Sequence, residues 1–151
     1  MLWTVLAVAS VVLLGLSAGV FYGFSSFVVP GLARVADDAA GTAMNGINES
    51  AVRPPFMVVF FGALLVPAVT GIWGLVSGRA GGAWVLAAAA VYLVGTFVVT
   101  MAGNVPLNNK LLAAPEKAPV WRATWQPWAR WNHVRTVAGV VATVLAAVGL
   151  R

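Results

Sequence analysis

Three groups of amide, indole and basic side chains stand out in a chain that is 61% hydrophobic and only 9% charged. The first is Met44-Asn45-Gly46-Ile47-Asn48. The second is Asn104-Val105-Pro106-Leu107-Asn108, and the third is Trp121, Trp125, Trp128 and Trp131-Asn132-His133-Val134-Arg135. An imidazole titrates near neutrality, so His133 is the natural candidate to take a proton. The guanidinium of Arg135 and the amides of Asn132 and Asn108 have the donors needed to hold a developing oxyanion. Trp128 and Trp131 offer faces on which a flat ring could stack, and Asn45, Asn48 and Asn104 supply further amides for its polar groups. His133, Arg135, Asn132 and Asn108 are therefore the candidate catalytic residues. Asn45, Asn48, Asn104, Trp128 and Trp131 are the candidate substrate-binding ones.

Spacing decides which of these can act together. On a helix Trp128, Asn132, Arg135 and Gly139 fall at i, i+4, i+7 and i+11, one continuous stripe. Trp131 and Arg135 are four apart, close enough for a stacked cation–π contact. His133 points about 100° away from Asn132, so only one of the two can face a bundle centre squarely. Each group also has a plainer reading. Asparagines at helix ends cap and turn the chain, tryptophans form interfacial belts, and Arg135 could pair with Glu49 or with a lipid phosphate.

The elements that must position these residues follow from where charge is missing. Leu2–Ala33, Pro54–Gly78 and Ala80–Asn109 contain no charged side chain. Each exceeds the roughly 20 apolar residues a helix needs to cross a hydrocarbon core. The chain is 61% hydrophobic and 9% charged, with a mean hydropathy of +0.92, against about 25% charged residues in soluble domains. A fourth charge-free run, Thr136–Leu150, is too short to cross alone. A helix starting at Pro127 would reach about 36 Å and cross with ease.

The expectation is an all-α integral membrane four-helix bundle, a single domain over residues 1–151. Its spans are expected near 3–29, 56–76, 83–105 and 127–150. The second span should kink near Pro67. Pro30-Gly31 should stop the first span and Pro106 should end the third. A short amphipathic helix capped by Asp37 or Asp38 is expected in the first loop, running through Ile47. Gly15, Gly19 and Gly23 share one stripe where another backbone could approach, which would permit a homo-oligomer.

Four spans put all three polar groups at one membrane face. That face carries Arg34, Arg53, Lys110, Lys117, Arg122, Arg130 and Arg135, against Arg79 and Arg151 opposite, so the loops are expected in the cytoplasm and both termini across the membrane. The net charge of +5 then reads as contact with lipid headgroups, and nucleic acid is not an expected partner. Absent cysteine removes thiolate chemistry. One histidine and four carboxylates make an all-protein metal site improbable, though a single axial histidine would still suit haem.

At these same residues the chain resembles a known family. Gly23-Phe24 through Pro30, Met44-x-x-Ile47-Asn48, Asn104-x-Pro106-x-Asn108 and Trp128-x-x-Trp131-Asn132-x-x-Arg135-Thr136 together look like the anthrone oxygenase family. The resemblance covers nearly the full chain, in order. It implies a small four-helix membrane protein. It also implies oxidation of a flat apolar aromatic, an anthrone, to a quinone with O2. Because an anthrone enolate can itself pass an electron to O2, no protein-bound redox metal is expected for such a reaction. The competing expectation is a non-catalytic membrane module: a small-molecule binder, a permease subunit or an assembly factor.

Overall fold

The computed structural model describes all residues, Met1–Arg151, and every element in it is helical. The helices are α1 (Leu2–Leu32), α2 (Asp37–Ala51), α3 (Pro54–Val76), α4 (Gly82–Ala113) and α5 (Lys117–Val148). All but α2 are long and apolar enough to cross a membrane. Their outward faces are apolar: Leu16, Leu65, Val69, Val94, Val137 and Val144 are all exposed. A soluble protein would not leave such a belt to water.

The four long helices form a square in which each packs on its sequence neighbours, and α1 closes the ring against α5. The core is built from Leu14, Phe21, Phe60, Ala63, Ala88, Tyr92, Ala142 and Ala146. The Tyr92 hydroxyl lies 2.7 Å from Ser17 Oγ and donates to the Phe60 carbonyl at 3.2 Å, so this buried polar group ties α1, α3 and α4 together. Close contact of α3 with α4 relies on glycine. A Cβ on Gly71 would sit 2.6 Å from Leu86 Cα. Helix α3 runs unbroken through Pro67, which is buried.

Several helix ends depart from the sequence reading. Helix α1 passes Pro30-Gly31 and ends at Leu32, and α4 passes Pro106 and ends at Ala113. A helical proline lacks an N–H and presses on the carbonyl four residues earlier. The chain relieves this with π turns, Phe24–Val28 before Pro30, and Leu93–Val98 and Thr100–Asn104 before Pro106. There the Val29 and Val105 N–H groups reach back five residues, to the carbonyls of Phe24 and Thr100. Hydroxyls meet nearby carbonyls: Ser26 Oγ donates to Tyr22 O and Thr100 Oγ1 to Thr96 O, each at 2.7 Å.

Helix α5 begins at Lys117, not at Pro127, so residues 114–116 alone join it to α4. Tertiary packing explains the extra turns. Trp121 and Trp128 bury against Val29, Ala40, Met44 and Leu111, forming a second apolar cluster beneath α2. Lys117 Nζ donates to the carbonyls of Leu111, Leu112 and Ala114, which closes the end of α4. Helix α2 extends to Ala51, beyond Ile47. Its N-cap is Ala36. Asp37 and Asp38 lie in the first turn, where carboxylates favour the helix dipole, and Asp37 accepts from Arg122 Nε at 2.9 Å. The glycine stripe of α1 meets no neighbouring backbone. An added Cβ would touch only Thr143 at Gly15, nothing at Gly19, and the Phe27 ring at Gly23.

Candidate functional site

The end of the bundle covered by α2 holds a cavity of about 360 Å3. Its walls are Val20, Phe21 and Phe24 from α1, Phe56 and Met57 from α3, and Thr100, Val105 and Asn108 from α4. Trp128 and Arg135 of α5 complete it, and the last turns of α2, with Ile47 and Asn48, lie over it. The α5 stripe is realised: Trp128, Asn132, Arg135 and Gly139 are all buried, Asn132 completely.

Arg135 is only 5% exposed, yet no carboxylate accompanies it. The molecule's single ion pair is Arg122–Asp37, at the surface, so the expected pairing of Arg135 with Glu49 does not form. Protein dipoles and rings solvate the guanidinium instead. Nη2 donates to Asn132 Oδ1 at 2.8 Å and Nη1 to Thr100 Oγ1 at 3.2 Å. The Phe21 ring lies 4.3 Å from the guanidinium carbon and the Trp128 ring 5.2 Å, both within cation–π range. Nε has no partner. An intramembrane arginine held this way is costly and points to a ligand-binding role.

The surrounding amides act on these two side chains. Asn132 Nδ2 donates to the Phe21 carbonyl and to Ser25 Oγ, both at 2.8 Å, which fixes the amide so that its oxygen faces Arg135. Asn108 Oδ1 accepts from Trp128 Nε1 at 2.7 Å, and Asn104 Nδ2 donates to the Trp128 carbonyl at 3.1 Å. The indole is thus held at both its ring and its backbone, with Phe24 tilted against it at 5.5 Å.

The sequence-derived candidates therefore separate. Asn48, Asn108, Trp128 and Arg135 meet at the cavity, with Asn132 and Asn104 directly behind as positioning residues. Asn45 lies elsewhere, donating to the Leu111 carbonyl at 3.5 Å between α2 and α4. His133 is exposed on the outer wall in a groove with Val91, Val137 and Val141, and its Nδ1 lies 2.9 Å from Ser25 Oγ. Asn132 took the inward position that only one of the two could occupy. Trp131 is 45% exposed and lies over Gly103 of α4, not over Arg135. At about 100° per residue, Trp128 lies roughly 20° from Arg135 around the helix and Trp131 roughly 40°, on opposite flanks. Only the Trp128 flank faces the cavity.

Sequence reasoning missed Phe21, Phe24, Phe56 and Thr100. Thr100, Asn104 and Asn108 recur every four residues, a usable signal, but only for a helix that continues through Pro106.

Residues 56–145 match the anthrone oxygenase family, while no curated protein and no solved structure matches. The matched segment holds Phe56, Thr100, Asn108, Trp128 and Arg135, with Asn132 behind them, so the α3, α4 and α5 walls of the cavity fall within it. On that match, which spans more than half its length, the chain belongs to the anthrone oxygenase family.

Proposed function

We propose that this membrane protein oxidises a flat, anthrone-like aromatic with O2 to the corresponding quinone. The observation that carries the reading is Arg135, a buried guanidinium without a carboxylate partner in an aromatic-walled cavity. An anthrone has an acidic methylene beside its aromatic rings. Loss of that proton places negative charge on the ketone oxygen, and Arg135, aided by Asn48, meets it with donors already fixed in place. With His133 on the outer wall, the proton passes to water at the cavity mouth, and stabilising the enolate makes that loss easier.

The electron-rich enolate then passes one electron to O2. The resulting pair recombines to form a carbon–oxygen bond, and protonation gives a hydroperoxide. Loss of water from that hydroperoxide leaves the second carbonyl. One CH2 and one O2 become one C=O and one H2O, and the redox change is carried by substrate and O2 alone, without a protein-bound redox metal. Phe21, Phe24 and Trp128 keep the ring flat against the cavity wall and away from water. The basic loop side is proposed to face the cytoplasm, which leaves both termini across the membrane.

A specific observation favours a second reading, a binder without turnover: Arg135 is the only ionisable residue lining the cavity. Oxygen uptake by purified protein with anthrone, followed together with quinone absorbance, separates the two. One O2 consumed per quinone is expected. Removing an oxyanion donor typically costs about 10²–10³ in turnover, so Arg135→Met should lose at least that much. Wild-type protein that leaves anthrone oxidation at its background rate would establish the binder.

A further inference from the structure

The buried polar atoms of the cavity divide unequally between donors and acceptors. Thr100 Oγ1 donates to Thr96 O while accepting from Arg135. Asn108 Oδ1 is taken by the Trp128 indole N–H. Two buried atoms of the lining remain unpaired, Arg135 Nε and Asn48 Nδ2, and both are donors. The unpaired buried oxygens, Asn45 Oδ1, Asn104 Oδ1 and Thr70 Oγ1, belong to residues outside the lining. A buried donor without an acceptor is unfavourable, and a buried cation without an anion more so.

We infer that the cavity binds its ligand as an oxyanion: a flat aromatic body carrying an ionised oxygen and a second oxygen acceptor, which meet Arg135 and Asn48. This deepens the proposed oxidation and rests on it only for the identity of the reacting ring. The remaining lining supports the aromatic half of the assignment, since Phe21, Phe24, Phe56 and Trp128 offer ring faces on three helices. The volume of about 360 Å3 sits at the low end of the roughly 300–1,000 Å3 seen for small-molecule sites, which suits a rigid ring system better than a two-chain lipid.

The consequence is selectivity by charge. Neutral and anionic ligands with the same rings should differ in affinity, and the preference should belong to Arg135. The probes are anthracene-9-carboxylate, which is anionic at neutral pH and carries two oxygens, and 9-methylanthracene, its neutral counterpart. Neither has the acidic methylene of an anthrone. Binding to wild-type protein in nanodiscs is read as saturable energy transfer from tryptophan, corrected with empty nanodiscs. The carboxylate should bind at least about tenfold more tightly, the lower range for a charged hydrogen bond. Arg135→Met should abolish that preference while still binding 9-methylanthracene. Arg135→Lys should keep part of it, and Asn48→Ala should reduce it by a smaller factor. Dodecanoate should displace the bound carboxylate only weakly.

Equal binding of both probes to wild-type protein would overturn the inference without recourse to any variant. An undiminished preference in Arg135→Met would do the same, and full displacement of the bound carboxylate by an equal concentration of dodecanoate would remove the aromatic half. Oxygen uptake is scored separately. Arg135-dependent anion preference with no anthrone turnover keeps this inference and rejects the oxidation. Turnover without any charge preference does the reverse.

Discussion

Replacing Asn132 with aspartate tests the central arrangement with a change of one atom. In the native protein Asn132 Oδ1 accepts from Arg135 Nη2 at 2.8 Å, and the buried cation has no anionic neighbour. An aspartate places a carboxylate at that same point. Two opposite charges about 4 Å apart interact by about 4 kcal/mol at an effective dielectric constant near 20, so the new ion pair would form and neutralise the site. The fold should survive. Asn132 Nδ2 gives up two hydrogen bonds, but Ser25 can reverse its own and donate to the carboxylate. The Phe21 carbonyl keeps the Phe24 N–H but faces a carboxylate oxygen where the amide donated, a cost of about 1–3 kcal/mol that the ion pair offsets in part. A ligand oxyanion, by contrast, loses a charged hydrogen bond of about 1.5–3 kcal/mol and gains a repulsive neighbour. Binding of anthracene-9-carboxylate should fall by roughly 10–150-fold and anthrone turnover by at least as much, with 9-methylanthracene unaffected. Gel filtration and thermal unfolding in the same nanodiscs check the fold. If Asn132→Asp keeps both its preference for the carboxylate and its turnover, the cation is not what the ligand meets, and the site as described is wrong.

Four further outcomes follow from the same geometry. His133→Ala should keep turnover near wild type, well inside the roughly 10²–10⁴-fold loss expected on removing a positioned base, as read by oxygen uptake. Trp128→Phe keeps a ring against Phe24 but loses the bond to Asn108, a loss of about 0.5–1.5 kcal/mol in thermal unfolding, whereas Trp128→Ala should also raise the KM for anthrone several-fold. Gly71→Ala would drive a methyl group into the Leu86 backbone and should cost about 1–3 kcal/mol with no direct effect on ligand charge preference. Because the chain has no cysteine, single cysteines at Ser77 and Arg130 can be labelled cleanly; an impermeant maleimide applied to intact cells should modify Ser77→Cys and spare Arg130→Cys.

How much of this was legible in the sequence depends on which force governs each feature. Three spans were visible because the bilayer imposes one rule on every residue of a span, and missing charge reports it directly; the fourth, which carries Arg130 and Arg135, was reached only by extending a short apolar run back to Pro127. The buried stripe of α5 was visible for a related reason: Trp128, Asn132 and Arg135 keep helical spacing whatever packs against them. Helix ends were not. Pro30 and Pro106 carry the local signal to stop, and what overrides it is a π turn just before each, in which the Val29 and Val105 N–H groups reach back five residues to the Phe24 and Thr100 carbonyls. No spacing rule announces that compensation. The early start of α5 has a tertiary cause as well, since Trp121 has somewhere to go only because α2 lies beside it. The outward turn of His133 was foreseen only as one of two options. The choice fell to Asn132 because the amide has both an acceptor for Arg135 and donors for the Phe21 carbonyl and Ser25, whereas an imidazole would leave some of those groups unpaired.

The same π turns connect the backbone irregularities to the site. Ser25, which receives Asn132, lies within the π turn of α1, and Thr100, which receives Arg135, opens the second π turn of α4. Arg135 is therefore held directly by Thr100 and, through Asn132, by Ser25, two side chains that a regular helix would carry at a different angle. Single π turns recur at functional sites because they re-aim one side chain without ending the helix. In this chain two helices do so around one cation. A guanidinium kept only for stability would be better served by one of the four carboxylates, yet Asp38, Glu49 and Glu116 are exposed and Asp37 is committed to Arg122. Two prolines, two distorted helices and a fully buried amide all converge on a charge that the protein itself leaves uncompensated. That cost is understandable if the missing anion arrives with the ligand.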